Sequence, residues 1–193
     1  MAIDPDLELM LRVRSGDTES FELLLLRHRK PLITYFWRMV HDQGLAEDLA
    51  QEVFLRVYEA RERYQPGARF TTWLYRIATN LALNALRDRK GGDRRTERHD
   101  SEKESAEARV PDAQPNAEQL LIMTERGCAI RQAVESLPEN QRTAVLLHKY
   151  QGVDYRQIAT IMRVSEGAVK SLLFRAYETL RVRLEPLLRK GHI

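Results

Sequence analysis

The sequence has very little cysteine and no long apolar run. Cys128 is the one cysteine among 193 residues, and a lone thiol cannot form an internal disulfide, which fits a reducing compartment. The first six residues, Met-Ala-Ile-Asp-Pro-Asp, carry no apolar run, so no secretory signal is expected. No stretch approaches the roughly 18 apolar residues of a membrane span. We therefore expect a cytoplasmic protein.

Motifs that carry enzyme chemistry are also missing. The chain has no glycine loop of the phosphate-binding kind, no GxSxG and no HExxH. No histidine–cysteine cluster has metal-site spacing, and the histidines are scattered, each expected as a surface or helix-face residue: His28, His41, His99, His148 and His192. The sequence therefore predicts a protein that is not an enzyme and that holds no metal or cofactor.

Charge is abundant, but neither sign dominates. Charged residues make up 31% of the chain and hydrophobic residues 43%, while the formal net charge is only +3. A weak basic excess permits nucleic-acid binding without demonstrating it. The distribution of charge along the chain has to decide that question.

The middle of the chain differs in composition from both ends. Residues 90–117 contain two glycines, two prolines, many charges and almost no large apolar side chain. Such a stretch buries too little apolar surface to offset the entropy of ordering it, so it is predicted to be a flexible linker. We therefore predict domains at 1–90 and 118–193, with the linker at 91–117. Five acidic residues of the linker could mimic a polyanion, although a solvated tether fits equally well: Asp100, Glu102, Glu104, Glu107 and Asp112.

Helical periodicity dominates both flanking regions, and neither shows strand alternation. A first helix is predicted from Asp6 to Ser15, with Gly16 as the residue that ends it. A second helix begins near Asp17, and Pro31 suits the first turn of another. A strongly amphipathic helix follows Gly44, and Thr71 or Thr72 is expected to cap the last helix of this region.

The C-terminal region predicts a helix-turn-helix. Asp154 and Gln157 have the spacing of a capping box at the start of a short helix that ends near Met162. A tight turn follows, and Ser165 suits the N-cap of a long amphipathic helix. The predicted fold is therefore all-α, with two small helical domains joined by a flexible charged linker and a helix-turn-helix in the C-terminal one.

The exposed face of the long second helix has a composition that suits DNA. Small residues, Gly167 and Ala168, precede Lys170, Ser171 and Arg175 on the side opposite the apolar stripe. A helix that enters the major groove needs a slim leading end and donors for guanine and phosphate oxygens. A helical hairpin whose outer face is merely solvated has the same pattern, so the spacing leaves both interpretations open.

Two faces in the N-terminal region also invite a functional interpretation. Leu55 lies among acidic and polar neighbours on the outer face of its helix, which suggests protein docking, although Asp48 alone suits the helix dipole. In the last helix Asn80 and Asn84 recur opposite the apolar stripe, and amides of this kind suit base edges. Nearby aromatic residues suit base stacking, although Trp73 is equally well explained as a packing residue.

The chain resembles the extracytoplasmic-function group of bacterial sigma factors over nearly its whole length. The resemblance lies in four segments, in this order: GDTESFELLLLRH, AEDLAQEVFLRVY, FTTWLYRIATNLALNALR and LPENQRTAVLLHKYQGVDYRQIATIMRVSEGAVKSLLFRAYETLR. It implies a factor that directs RNA polymerase to promoters, often for a stress or envelope response. The implied partners are core RNA polymerase, through the β′ clamp helices and the β flap, promoter DNA and an anti-sigma factor.

The resemblance also implies three sets of site residues. Docking on the polymerase clamp helices is implied for Asp48, Gln51, Glu52, Leu55 and Arg56. Contact with the −10 element, including a pocket for a flipped base, is implied for Tyr64, Arg69, Phe70, Arg76, Asn80, Asn84 and Arg87. Contact with the −35 element is implied for Ser165, Glu166, Lys170, Ser171, Phe174 and Arg175.

Two other classes of protein remain in competition on the residues alone. An ordinary helix-turn-helix regulator binds an operator without polymerase, and it leaves Leu55 and the Asn80 face unexplained. An all-helical interaction protein would have no DNA role at all. Binding to core polymerase distinguishes these classes.

Overall fold

The computed structural model describes residues 4–67, 69–92 and 117–189, and every regular element in these ranges is a helix. The all-α prediction is therefore confirmed. Most of the predicted linker lies outside the described ranges, and so do its five acidic residues and the histidines His99 and His192.

The first four helices form an N-terminal bundle. Its elements are α1 (Pro5–Arg14), α2 (Thr18–Val40), α3 (Gln43–Glu59), a single 3-10 turn (Arg61–Arg63) and α4 (Phe70–Gly92). An aspartate caps each of the first three helices through its side chain: Asp4, Asp17 and Asp42. Gly16 follows the end of α1 with a φ of +95°, as its predicted role as the ending residue requires.

The predictions for Pro31 and for the cap of α4 are wrong. Pro31 does not begin a helix but lies inside the continuous helix α2, where Leu24 and Leu32 are both fully buried on either side of it. Burial of these apolar side chains favours the helix and opposes the cost of the hydrogen bond that a proline cannot donate. Neither Thr71 nor Thr72 caps α4, because α4 begins earlier, at Phe70. The Phe70 amide instead donates to the carboxylate of Asp4, a residue far away in the sequence.

The last four helices form a C-terminal bundle that contains the predicted helix-turn-helix. Its elements are α5 (Ala117–Glu135), α6 (Glu139–Val145), a π-helical turn (Leu146–Tyr150), α7 (Tyr155–Met162) and α8 (Glu166–Arg189). The capping box of Asp154 and Gln157 is present at the start of α7. Arg163 adopts a left-handed conformation with a φ of +56°, and it is the first residue of the turn between α7 and α8.

Apolar stripes spaced for a helix hold each bundle together. In the N-terminal bundle the fully buried side chains include Leu32, Phe36, Val53, Leu74 and Ala78. In the C-terminal bundle they include Leu146, Ile158, Ile161, Val169 and Leu173. His28 departs from the predicted surface position, because it is buried and its Nε2 lies 2.8 Å from a carboxylate oxygen of the buried Asp6.

The two bundles contact each other directly, and α4 packs on α7. The last helix of the N-terminal bundle therefore lies against the first helix of the helix-turn-helix. Within the described ranges, no helix combines the length and the apolar character that a bilayer crossing requires.

Candidate nucleic-acid and protein interfaces

The leading end of α8 is an exposed, polar surface. Ser165 Oγ accepts the Ala168 amide at 3.1 Å, which is the predicted N-cap. On the opposite side of the helix Val169 and Leu173 are buried against α7 and α6, which fixes the direction in which the outer face points. The predicted −35 residues are all exposed: Ser165, Glu166, Lys170, Ser171, Phe174 and Arg175. Phe174 is 68% exposed, which is unusual for a phenylalanine and suits contact with another molecule.

The outer face of α4 carries amides and cations. Arg69, Asn80, Asn84 and Arg87 are exposed, and Arg76 is half-buried. Arg87 donates a hydrogen bond to Asn84 Oδ1 at 3.4 Å. Donors and acceptors are thus presented along one side of the helix, while Leu74, Ala78 and Leu81 are buried on the other.

Tyr64 and Phe70 lie in the core, where their side chains are not open to a base in this conformation. Their rings belong to an aromatic cluster in which the centroid of Trp73 lies 4.9 Å from that of Tyr64 and 6.0 Å from that of Phe70. Burial, together with the negative charge of Asp4, raises the pKa of Tyr64 to about 12. The structure therefore separates the predicted −10 residues into an exposed set and a buried aromatic set.

An apolar groove lies between α2 and α3, and two of the predicted docking residues, Gln51 and Leu55, line it. Leu55 is 59% exposed, and the groove of about 540 Å³ beside it is lined by apolar side chains that include Phe21, Leu25, Ile33 and Phe54. Asp48, Gln51 and Arg56 are exposed on the same helix as Leu55, and Glu52 is half-buried. Arg56 donates to Glu52 at 2.7 Å within this polar surround. An apolar anchor with a polar rim is the usual anatomy of a protein interface.

Residues outside all three predicted sets join the two bundles. Arg142 of α6 donates to the backbone oxygen of Met39 at 3.2 Å, and its other amino group donates to the backbone oxygen of Glu135. The Tyr75 hydroxyl donates to Gln151 Oε1. The bond to Met39 links the C-terminal end of α2 to α6, and the bond from Tyr75 links the first half of α4 to the residue that follows the π-helical turn.

Cationic side chains over aromatic rings extend this interbundle contact. The Arg38 guanidinium carbon lies 3.8 Å from the centre of the Tyr150 ring, and that of Arg131 lies 5.0 Å from the centre of the Trp37 ring. His41 Nδ1 lies 3.1 Å from a carboxylate oxygen of Glu135. Burial lowers the pKa of His41 by more than the Glu135 carboxylate raises it. These pairs bring together residues about 100 positions apart, and no periodicity in the sequence marks them.

Among the side chains that the structure describes, no group of three or more histidine, cysteine, aspartate or glutamate residues is placed to hold a metal ion. The arrangement can offer exposed surfaces for macromolecules: the leading end of α8, the outer face of α4 and the Leu55 groove.

Comparison with known proteins gives the family. The family model described as Sigma-70 region 2 matches residues 24–91, and the model described as Sigma-70, region 4 matches residues 129–180. The chain is 36% identical to the RNA polymerase sigma-H factor of Pseudomonas aeruginosa, an alignment that covers 97% of this chain and 98% of that protein. It is 33% identical to the ECF RNA polymerase sigma-E factor of Escherichia coli K12, over 96% of this chain and 97% of that protein.

A solved structure shares the fold at lower sequence identity. CnrH in complex with the cytosolic domain of CnrY matches with a TM-score of 0.71 and 19% identity, covering 95% of this chain and 99% of that one. Two region-specific family models and two nearly full-length relatives therefore agree with the helix-turn-helix and the four-helix N-terminal bundle. The chain belongs to the extracytoplasmic-function group of the sigma-70 family of RNA polymerase sigma factors.

Proposed function

We propose that this chain acts as a monomeric specificity subunit that binds core RNA polymerase, recognises a promoter and opens the DNA for initiation. The factor supplies binding surfaces and no catalytic group of its own. We also propose that it works in the cytoplasm, on a stress or envelope regulon, which its membership of the extracytoplasmic-function group supports. The domain limits proposed for this role remain 1–90 and 118–193, with 91–117 as the linker.

Core polymerase docks on the Leu55 groove. An α-helical partner such as the clamp helices of the β′ subunit buries the exposed Leu55 side chain, and the apolar lining of the groove receives the partner's own apolar residues. Asp48, Gln51, Glu52 and Arg56 form the polar rim, which excludes water and selects the orientation. The C-terminal bundle rests on the β flap.

The −10 element is bound by α4 and by the loop of residues 64–70 before it. Asn80 and Asn84 offer donors and acceptors to unpaired base edges, while Arg69, Arg76 and Arg87 lie close to the backbone phosphates. Flipping a base out of the helix loses a few kcal/mol of stacking energy, and contacts between the base and its pocket offset this loss. The buried rings of Tyr64 and Phe70 shape that pocket from beneath.

The −35 element is bound by the leading end of α8. Lys170, Ser171 and Arg175 face the major groove, with Ser165 and Glu166 at the tip and Phe174 beside the thymine methyl groups or the sugars. The buried stripe of α8 fixes this face relative to α7.

Promoter binding requires the two bundles to separate. One helical turn of DNA is about 34 Å long, and the two promoter elements lie more than one turn apart. In the conformation described, α7 packs on α4, so the two DNA-binding surfaces lie side by side on one compact body. We propose that this is a closed form, that an anti-sigma factor stabilises such a form, and that core polymerase opens it.

Replacing both Arg38 and Arg142 by alanine is expected to open the closed form. The two side chains contribute a cation–π contact and a charged hydrogen bond across the bundles, worth about 2–4 kcal/mol together. Small-angle X-ray scattering should give a wild-type radius of gyration near that of a compact chain of this length, about 16 Å, and a larger value for the variant. The double variant Arg12→Ala/Arg183→Ala, which removes two exposed arginines outside the contact, serves as the control. Equal radii for wild type and variant, with both folded, would show that the closed form does not depend on these arginines.

The observation that carries the proposed function is the exposed Leu55 beside its apolar groove, in the same chain as a helix-turn-helix. An operator-binding regulator needs no such groove. The test is capture of core RNA polymerase by the immobilised full chain at physiological salt, with bovine serum albumin and double-stranded DNA as competitors. Stoichiometric retention of core subunits is expected. Retention of DNA without polymerase would favour the regulator, and retention of neither would favour the interaction protein.

A further inference from the structure

The loop of residues 64–70 is held at both ends by α1 and its N-cap residue Asp4. At the start of the loop, Arg14 Nη1 donates to the backbone oxygen of Tyr64 at 3.3 Å. At its end, the backbone amide of Phe70 donates to Asp4 Oδ2 at 3.1 Å. The partners are 50 and 66 positions apart in the sequence, so packing of the bundle, and not local chain geometry, brings α1 to the loop.

One carboxylate serves two helices here. Asp4 Oδ1 accepts the Asp6 amide at 3.1 Å and so caps α1, while Oδ2 receives an amide from the first turn of α4. First-turn amides have no acceptor within their own helix, and a negative charge is favoured at that end. Asp4 therefore fixes the point at which the loop becomes α4.

The rings beneath the loop are fixed from the same side. His28 is paired with the buried Asp6 of α1, and its ring centroid lies 5.5 Å from that of Phe70. The Phe70 ring in turn lies 6.4 Å from that of Tyr64. Between these fixed ends the described residues Gln65, Pro66, Gly67 and Arg69 are all exposed to solvent.

We propose that Asp4 and Arg14 are positioning residues for promoter opening: they hold the two ends of the loop at the spacing that receives a base from the −10 element. The inference rests on the proposed function of that loop. A loop that is ordered before the base arrives loses less conformational entropy on binding, so the flipped state becomes more favourable. Neither side chain has to contact DNA for this effect.

Hydrogen exchange of the free chain tests whether Asp4 holds the end of the loop, and it needs no polymerase. In Asp4→Ala the Phe70 amide loses its acceptor and should exchange at least tenfold faster, while Asp4→Asn keeps an acceptor oxygen of equal capping strength and should restore protection. Asp17→Ala is the matched control, because Asp17 caps α2 in the same way and does not contact the loop. Unchanged exchange at Phe70 in Asp4→Ala would overturn the proposal.

Promoter opening by holoenzyme, reconstituted from the full chain and core polymerase, tests whether the two residues contribute to DNA melting. A 2-aminopurine at the flipped position of the non-template strand reports open complex. Each of Asp4→Ala and Arg14→Ala removes one hydrogen bond at a loop end, worth about 1 kcal/mol, and should therefore lower the open-complex equilibrium about fivefold. Core affinity should be unchanged, and Asp4→Asn should be near wild type. The control for Arg14 is Arg12→Ala, whose partner is the exposed Glu8 of its own helix.

The outcomes separate the two proposals. Faster exchange at Phe70 with normal promoter opening in the same variant would overturn the positioning role. Failure of the wild-type chain to open any promoter would overturn the proposed function instead, and with it the assignment of the loop to the −10 element. Equal losses of promoter opening in Asp17→Ala and Asp4→Ala would show that both variants act through lower overall stability, and this would contradict the inference.

Discussion

Replacing Leu55 by aspartate is expected to weaken binding of core RNA polymerase about 30-fold or more, since loss of one desolvated interface anchor costs about 2 kcal/mol or more. Leu55 is already 59% exposed in the free chain, so the substitution should leave the fold intact. The charge would be buried only in the complex, where it has no partner. Fluorescence anisotropy with a label on Cys128, the exposed lone thiol far along the chain in α5, measures the dissociation constant.

The control for this substitution is Leu26→Asp. Leu26 is 73% exposed on α2 and does not line the groove, so the same charge is introduced at a comparable surface leucine. Core affinity for Leu26→Asp should stay close to wild type. Equal affinities for Leu55→Asp and wild type, with matching circular dichroism and melting temperature, would show that the docking face lies elsewhere on the chain.

Replacing Arg175 by alanine is expected to reduce −35 binding by about 1–3 kcal/mol and to relax the preference at one base pair, if the guanidinium contacts guanine with two hydrogen bonds. Arg175 lies on the exposed face of α8, near the leading end that Ser165 caps. A contact with phosphate behaves differently, because its loss weakens all sequences evenly and lowers the salt slope by about one unit. We expect the base-specific pattern at Arg175. For Lys170 we make no choice between base and phosphate contact, and the same measurement on Lys170→Ala distinguishes them.

A library of −35 variants, measured at two salt concentrations, distinguishes the two kinds of contact. Arg181→Ala is the matched control, because Arg181 is an exposed arginine further along the same helix that pairs with Glu178 at 3.1 Å. An even loss of affinity across the library for Arg175→Ala, with a reduced salt slope, would place that residue on the phosphate backbone. The base-specific role would then pass to another residue at the leading end of α8.

The fold could be predicted from the sequence where local chemistry determines it. Asp154 and Gln157 sit three residues apart before an apolar stripe, and the structure shows the capping box at that place. Gly16 and Ser165 likewise act where predicted, since a helix end is decided by a few neighbouring residues. The exposure of Leu55 also followed from helical periodicity.

The prediction was wrong where distant residues decide the local structure. Pro31 has the chemistry of a helix start, but burial of Leu24 and Leu32 keeps α2 continuous through it. Thr72 has the chemistry of a cap, but Asp4 receives the first-turn amide of α4 instead. His28 is buried because Asp6, on another helix, provides the polar partner that burial requires.

The contact between bundles was not predictable from the sequence for the same reason. Arg38 and Tyr150 are ordinary surface residues in any helical pattern, and it is the packing of the two bundles, including that of α4 on α7, that brings them together. A single sequence carries no signal for such a pair. The contact between α1 and the loop was not predictable either, because Arg14 and Tyr64 lie in separate segments whose sequence patterns say nothing about each other.

Run-off transcription with purified core polymerase shows whether this chain directs initiation at specific promoters. Core enzyme is incubated with a genomic library of linear templates, with and without the full chain, and the 5′ ends of the transcripts are sequenced. We expect discrete start sites that appear only with the factor, that share one −35 and one −10 sequence, and that disappear with Leu55→Asp. Transcription that is the same with and without the factor, despite full retention of core polymerase by the chain, would contradict the proposed function.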